Sequence, residues 1–324
     1  SPPSRSPQKT RAIPCMSAGV GVRKLSAANL RTASAASAHI RSTPRRHSTA
    51  RTMMAHASAV GSSGRAGSPY CQRSTASAHR SASVGLPISA EKNEASTELW
   101  LFPTGFGAKP AFSKARRLTA GDKDSDPRWS PDGSRIAFTA KRKDDTEAQI
   151  YLIAPDGGEA TRLSNIATGA AAIKWFPDGK RIAFVSWVWP GLRTDAAQAK
   201  RVAEKKEAKV KAHLTERGEY RFWDHWLTDG REPHLFACDV ATGRCEDLLQ
   251  GTGIALQPWD PTSEHYDIAP DGREIALTID PAVEPAMMNQ CDIVVVDLKT
   301  RRVKNITSDS GLSDEHPLYA PDGT

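Results

Sequence analysis

At 324 residues the chain is long enough for one large or two ordinary domains, but its charge is split so sharply that the totals mislead. Residues 1–90 hold 13 Lys and Arg and no Asp or Glu, so residues 91–324 hold 44 − 13 = 31 basic against 37 acidic residues, and +13 with −6 gives the net +7. The basic balance belongs to the N-terminal arm alone, which lacks interleaved aromatics and any binding motif, so no nucleic-acid partner is expected.

No run approaches the ~18 apolar residues of a membrane span. The five cysteines, Cys15, Cys71, Cys238, Cys245 and Cys291, form no Cys-x-x-Cys pair and no metal spacing with His, so neither a metal nor a cofactor is expected. Cys238 and Cys245 flank a predicted turn. A cross-strand disulfide is conceivable there, but two half-buried thiols are the favoured reading, and the redox compartment stays open.

In chain order, residues 1–90 are rich in Ser, Ala, Arg, Thr and His without a periodic apolar pattern, too little to offset the entropy of ordering. A disordered arm is expected. An organellar transit peptide, a solvated tail and translation of GC-rich DNA in another frame all fit its composition; the start at Ser1 rather than Met fits an incomplete start. From Thr97 the texture changes to short β segments. Glu98–Phe102 and Ala115–Thr119 read as strands.

Arg128–Phe138 (Arg-Trp-Ser-Pro-Asp-Gly-Ser-Arg-Ile-Ala-Phe) then sets a pattern that recurs. Lys174–Phe184 reads Lys-Trp-Phe-Pro-Asp-Gly-Lys-Arg-Ile-Ala-Phe, Ile268–Leu277 reads Ile-Ala-Pro-Asp-Gly-Arg-Glu-Ile-Ala-Leu, and a further copy begins at Tyr319. Pro presets the second position of a type I turn, Asp suits the third and Gly the fourth. Each copy is therefore a hairpin corner, and Asp132, Asp178 and Asp271 are turn residues rather than acids or metal ligands. A second hairpin follows each corner, near Pro155-Asp156-Gly157, Ala241-Thr242-Gly243 and Lys299-Thr300. Two hairpins make a four-stranded unit, and a repeat of roughly 40 to 50 residues is that of a propeller blade.

The fold class is thus all-β: a partial β-propeller of four-stranded blades with one helical insertion, preceded by a disordered arm. Blades are expected at about 97–120, 126–165, 171–250, 265–308 and, truncated, 316–324. The third carries an insertion over 186–230, in which Thr194–Ala212 has helix propensity, Thr194 or Asp195 as N-cap, and a Glu207/Lys211 pair. The first blade lacks recognisable inner strands, because no Pro-Asp-Gly stands near residue 85.

The Trp-Ser-Pro-Asp-Gly-x-Arg-Ile-Ala-Phe repeat resembles the propeller repeats of prolyl-oligopeptidase-family serine peptidases, and equally those of TolB. Within the insertion, Arg221–Arg231 (Arg-Phe-Trp-Asp-His-Trp-Leu-Thr-Asp-Gly-Arg) followed by Pro233–Phe236 looks like a stretch of the dipeptidyl-peptidase-like and acylaminoacyl-peptidase-like members. The resemblance implies an N-terminal propeller gating access of small peptides to a C-terminal α/β-hydrolase domain. This chain departs from that pattern, since it has no Gly-x-Ser-x-Gly; Gly61-Ser62-Ser63-Gly64-Arg65 fails at the last position. No catalytic residue carries over, and the chain alone is expected to be inactive, its peptide partner reached through the missing domain. The alternative is a TolB-like, non-enzymatic binding propeller. Glu219, Arg221, Asp224 and His225 are the candidate substrate contacts, with carboxylates for an α-amino group and Arg for a carbonyl or carboxylate. The favoured reading is that Trp223 and Trp226, at i, i+3, dock the insertion onto the propeller, with Asp224 and His225 pairing each other. A cytoplasmic, periplasmic or organellar location remains open.

Overall fold

A computed structural model describes residues 80–85, 88–89, 94–103, 115–210, 212, 215, 220–223, 225–227, 229–281 and 290–323. Disorder expected over most of the arm falls on residues 1–79, outside the described residues. At 80–89, expected to be irregular, the chain instead forms β1 (Arg80–Gly85) and β2 (Ile88–Ser89), the latter paired with β3 (Glu94–Ala95). β1 runs antiparallel to β4 (Glu98–Pro103), which also pairs with β5 (Arg116–Arg117). The first sheet thus has one strand that the missing Pro-Asp-Gly concealed. Ala82 and Val84 alternate along β1 and pack on the core of Leu99, Leu101, Ile136 and Phe138, which is the period-2 signal in its weakest form.

Three four-stranded antiparallel meanders follow. The first is β6 (Asp124–Trp129), β7 (Ile136–Ala140), β8 (Gln149–Ile153) and β9 (Thr161–Arg162). The second starts with β10 (Ala171–Trp175) and β11 (Arg181–Val188), leaves the sheet through α1 (Asp195–Glu207) and the small hairpin β12 (Arg221–Phe222) and β13 (His225–Trp226), and returns as β14 (Glu232–Asp239) and β15 (Cys245–Asp247). The third is β16 (Tyr266–Ile268), β17 (Glu274–Ile279), β18 (Asp292–Asp297) and β19 (Val303–Asn305). These are propeller blades.

The corners have the chemistry that the repeat demands. The N–H of Gly133, Gly179, Gly272 and Gly323 donates to the carbonyl of Ser130, Phe176, Ala269 and Ala320 at 2.8–2.9 Å, closing a four-residue turn in every copy. Each glycine holds a positive φ, from 69° to 89°, open to glycine without steric cost. Oδ1 of Asp132, Asp178 and Asp271 accepts from the amide two residues on, at 2.9–3.0 Å. Ser130 adds a hydroxyl bond to Asp132, and that bond, with those from Ser134, lowers the carboxyl to about 2. These aspartates are turn residues.

Packing explains why Ile-Ala-Phe recurs. In β11, Ile182 and Phe184 face the preceding blade, whereas Ala183 and Val185 face the following one. β7 divides in the same way, with Ile136 and Phe138 on one side and Ala137 on the other. A blade is buried on both faces, so its second strand reads as an unbroken apolar run.

Two expectations are corrected here. Cys238 and Cys245 are directly opposed across β14 and β15, with Cα atoms 4.0 Å apart, and form a disulfide rather than two thiols; direct opposition brings Cα atoms to within the reach of the bridge. Ser186–Val188, assigned to the insertion, continue β11 and pair with Glu232–His234. The helix is capped by Thr194, whose hydroxyl accepts from Ala197 N, but it stops at Glu207; Lys211 of the expected pair lies outside the described residues.

Candidate functional site

Two regions concentrate polar chemistry. The first is the insertion. Its helix α1 carries a single buried side chain, Gln198, and that side chain is a docking device. Gln198 Nε2 donates to the carbonyls of Trp189 and Leu192 at 2.9 and 2.8 Å, and its Oε1 accepts from Trp189 N at 3.2 Å. The backbone leaving β11 thereby finds its partners in the helix. Around the Trp189 ring stand Arg201, Lys205 and Arg231, 5.7–5.9 Å from its centroid, a cation–π arrangement. Asp229, only 4 % exposed at the side chain, ties the cluster by accepting from Lys205 Nζ at 2.6 Å and Arg231 Nε at 2.8 Å. Burial alone would raise its pKa; the Lys205 hydrogen bond and the Arg231 charge outweigh it and hold the carboxyl below the ordinary value.

Beyond that anchor the chain makes the hairpin β12–β13, with Arg221 opposite Trp226 and Phe222 opposite His225. Arg221 Nε donates to Trp223 O at 2.8 Å and its guanidinium lies 5.6 Å from the Trp226 ring, on which Tyr220 also stacks at 5.7 Å. Trp223 sits at φ 48° and is 82 % exposed. It therefore does not dock the insertion, contrary to that reading; Trp189 and Gln198 do. Of the four candidate contacts, Arg221 is exposed at the hairpin and His225 has its backbone in β13. Glu219 and Asp224 lie outside the described residues.

The second region sits just before each corner, outside the Pro-Asp-Gly motif itself. Aligned on the Pro of Pro-Asp-Gly, the residues five and three places earlier are Asp126 and Arg128, Ala172 and Lys174, His265 and Asp267, and His316 and Leu318. In the three complete blades they lie on or beside the first strand, and in the last copy on an extended segment that forms no strand; these segments are stitched together. Asp126 Oδ2 accepts from Ile173 N at 3.0 Å and its Oδ1 pairs with Arg128 at 2.7 Å. Arg128 continues to Ile173 O and Ser263 Oγ. Lys174 Nζ donates to Tyr266 O at 2.7 Å and Asp267 Oδ1 at 2.9 Å, while Asp267 Oδ2 accepts from Tyr319 N at 2.9 Å. Burial lowers the Lys174 pKa, partly offset by Asp267. The signal in the sequence is a charged residue three places before the Pro in each complete copy, Arg128, Lys174 and Asp267.

Asp126, Ala172 and His316 share a positive φ of 49°, 52° and 59°, and the ladder slips at the first two. The position is a bulge, which re-aims a side chain at a strand's end. His265, which does not share that positive φ, and His316 come together beside Glu315, with ring centroids 4.8 Å apart.

No family model matches the chain. Over 93 residues it is 37% identical to the uncharacterized peptidase YuxL of Bacillus subtilis, an alignment covering 28% of this chain and 13% of that protein's length. Among solved structures, an acylaminoacyl peptidase from Pyrococcus horikoshii aligns at a TM-score of 0.46 with 15% identity, covering 70% of this chain and 30% of that one. A putative TolB from Agrobacterium tumefaciens aligns at 0.42 with 17% identity, covering 76% of each. The resemblance carried by the Pro-Asp-Gly repeats, to the N-terminal propeller of prolyl-oligopeptidase-family peptidases, is thus accompanied by a curated relative that is a peptidase.

Proposed function

We propose that this chain is the N-terminal propeller portion of a prolyl-oligopeptidase-family serine peptidase and gates the entry of small peptides to an α/β-hydrolase domain. The observation that carries the reading is the identity to a curated peptidase. The anchored insertion supports it: a compact blade has no need of a helix and an aromatic hairpin, whereas a gate needs a rigid arm that presents side chains to a peptide. In this reading Arg221 binds a peptide carbonyl or carboxylate, Glu219 and Asp224 take the α-amino group, and His225 completes the polar edge, beside the exposed indole of Trp223.

Reading the encoding gene past the codon for Thr324 tests the proposal. A Gly-x-Ser-x-Gly followed by Asp and His supports it. A stop codon after a few further blades refutes it and leaves a binding propeller of the TolB kind. The contact residues are tested in the complete gene product, where Arg221→Ala is expected to raise KM for short peptides with little change in kcat. An unchanged KM removes Arg221 from the substrate edge.

A further inference from the structure

We propose that His265, Glu315 and His316 form a binding site for a divalent transition-metal ion of the zinc type, built from equivalent positions of two successive repeats. Each residue offers one ligand atom, and these atoms lie within 4.8 Å of one another. Two imidazoles and a carboxylate are a zinc donor set that leaves a position open. Ligand atoms around a tetrahedral zinc stand about 3.3 Å apart, given bonds of roughly 2.0–2.1 Å, so the site closes by at most about 1.5 Å. Glu315 and His316 are exposed and His265 half-buried, so the first two swing in toward the third.

Thr262 fixes the orientation of the His265 ring. The Thr262 amide donates to His265 Nδ1 at 2.9 Å, and Thr262 Oγ1 lies 3.0 Å from the same nitrogen. With Nδ1 engaged, Nε2 is the ligating atom. The amide bond marks the tautomer with its proton on Nε2, so binding the metal through the Nε2 lone pair releases that proton to solvent while Nδ1 takes one up. Nδ1–H then donates to Thr262 Oγ1, the outer-sphere hydrogen bond that orients metal-bound histidines, and the amide of the exposed Thr262 turns to water.

The fold itself does not call for these imidazoles. Both histidines stand five residues before the Pro of a Pro-Asp-Gly corner, where the earlier copies have Asp126 and Ala172. Ala172 adopts the bulge conformation without any polar side chain, and Asp126 uses its carboxylate to hold Ile173 N. Among the described residues neither the His265 nor the His316 imidazole holds a following strand in this way, yet successive repeats bring them face to face beside a carboxylate. Cysteine spacing could not reveal this site, because its ligands come from two repeats. The inference is independent of the peptidase reading.

The experiment titrates Co²⁺ into the full chain and follows its visible absorption, then displaces it with Zn²⁺. One Co²⁺ per chain with the intense bands of a four- or five-coordinate ion, lost on adding Zn²⁺, is expected. His265→Ala combined with His316→Ala abolishes the bands, and Glu315→Gln weakens Zn²⁺ binding about tenfold or more. His316→Ala alone, at an exposed residue, decides the matter if the double variant loses its fold. Bands that persist unchanged in that variant place the ion on other histidines and overturn the proposal, as does the absence of bands in the unmodified chain.

Discussion

Replacing Asp267 by Asn tests whether the stitching between first strands holds the blades together. Asp267 is fully buried and bonds both Lys174 Nζ and Tyr319 N at 2.9 Å. Asparagine keeps the shape and an acceptor for Tyr319 N but removes the charge facing the Lys174 ammonium, whose side chain is 24 % exposed. Breaking one side of a buried pair destabilises by about 3–5 kcal/mol. The partial exposure of Lys174, and its remaining bond to Tyr266 O, put this variant at the lower end, about 3 kcal/mol. Lys174→Met leaves the carboxylate with the Tyr319 amide alone and should cost about 4 kcal/mol on the same scale. The double variant buries neither charge, so it should be less destabilised than the sum by about 2–3 kcal/mol. Urea unfolding followed by tryptophan emission measures each midpoint, with an unchanged m-value as the condition for reading a shift as stability. Singles that each cost less than about 1 kcal/mol and add without coupling would show the pair to behave as an exposed ion pair, and the role assigned to the first strands would be wrong.

Three other outcomes are expected. Gly243 has φ 71° and an added Cβ would lie 2.9 Å from the Leu163 carbonyl oxygen, so Gly243→Ala should lower stability by about 1–3 kcal/mol; an unchanged urea midpoint would contradict this. Gln198→Ala removes three hydrogen bonds that seat α1, and amide exchange in residues 195–207 should accelerate while the blade strands keep their protection; equal protection in both variants would show that the Trp189 cluster suffices. Tyr151 and Tyr319 are both raised to about 12, mainly by burial, from 10.0. With folded values above unfolded ones, their contribution is whole below pH 10 and is lost as pH rises toward 12. Lys174, lowered from 10.5, acts oppositely in its own window, so the alkaline loss should be steeper in Lys174→Met, as measured by thermal midpoint against pH.

The repeat was legible because its demands are local. Pro, Asp and Gly specify a turn through φ preferences and one side-chain bond, and Ile-Ala-Phe specifies a strand buried on two faces, so order, corners and blade content followed from residues within a dozen positions of one another. The helix cap at Thr194 is of the same kind. Strand β1 was less visible, since Ser, Ala and Arg carry little β preference and only pairing with Glu98–Pro103 organises them. The Cys238–Cys245 bridge needed the register of two strands, which a separation of seven residues does not specify.

Tertiary structure alone decided what meets across repeats. Asp229 is chemically unremarked in the sequence; it becomes the knot of the insertion because Lys205 and Arg231 converge on it from α1 and from the residue that precedes β14. Trp223 reads as an anchor but stands in solvent, while Trp189, outside the aromatic cluster, takes the anchoring part. His265 and His316 are separated by a whole blade, and only the packing of the segment that carries the last Pro-Asp-Gly corner beside β16 sets their rings side by side. Sequence determined the unit, because turns and strand faces are governed by neighbours along the chain. The polar constellations depended on neighbours across it.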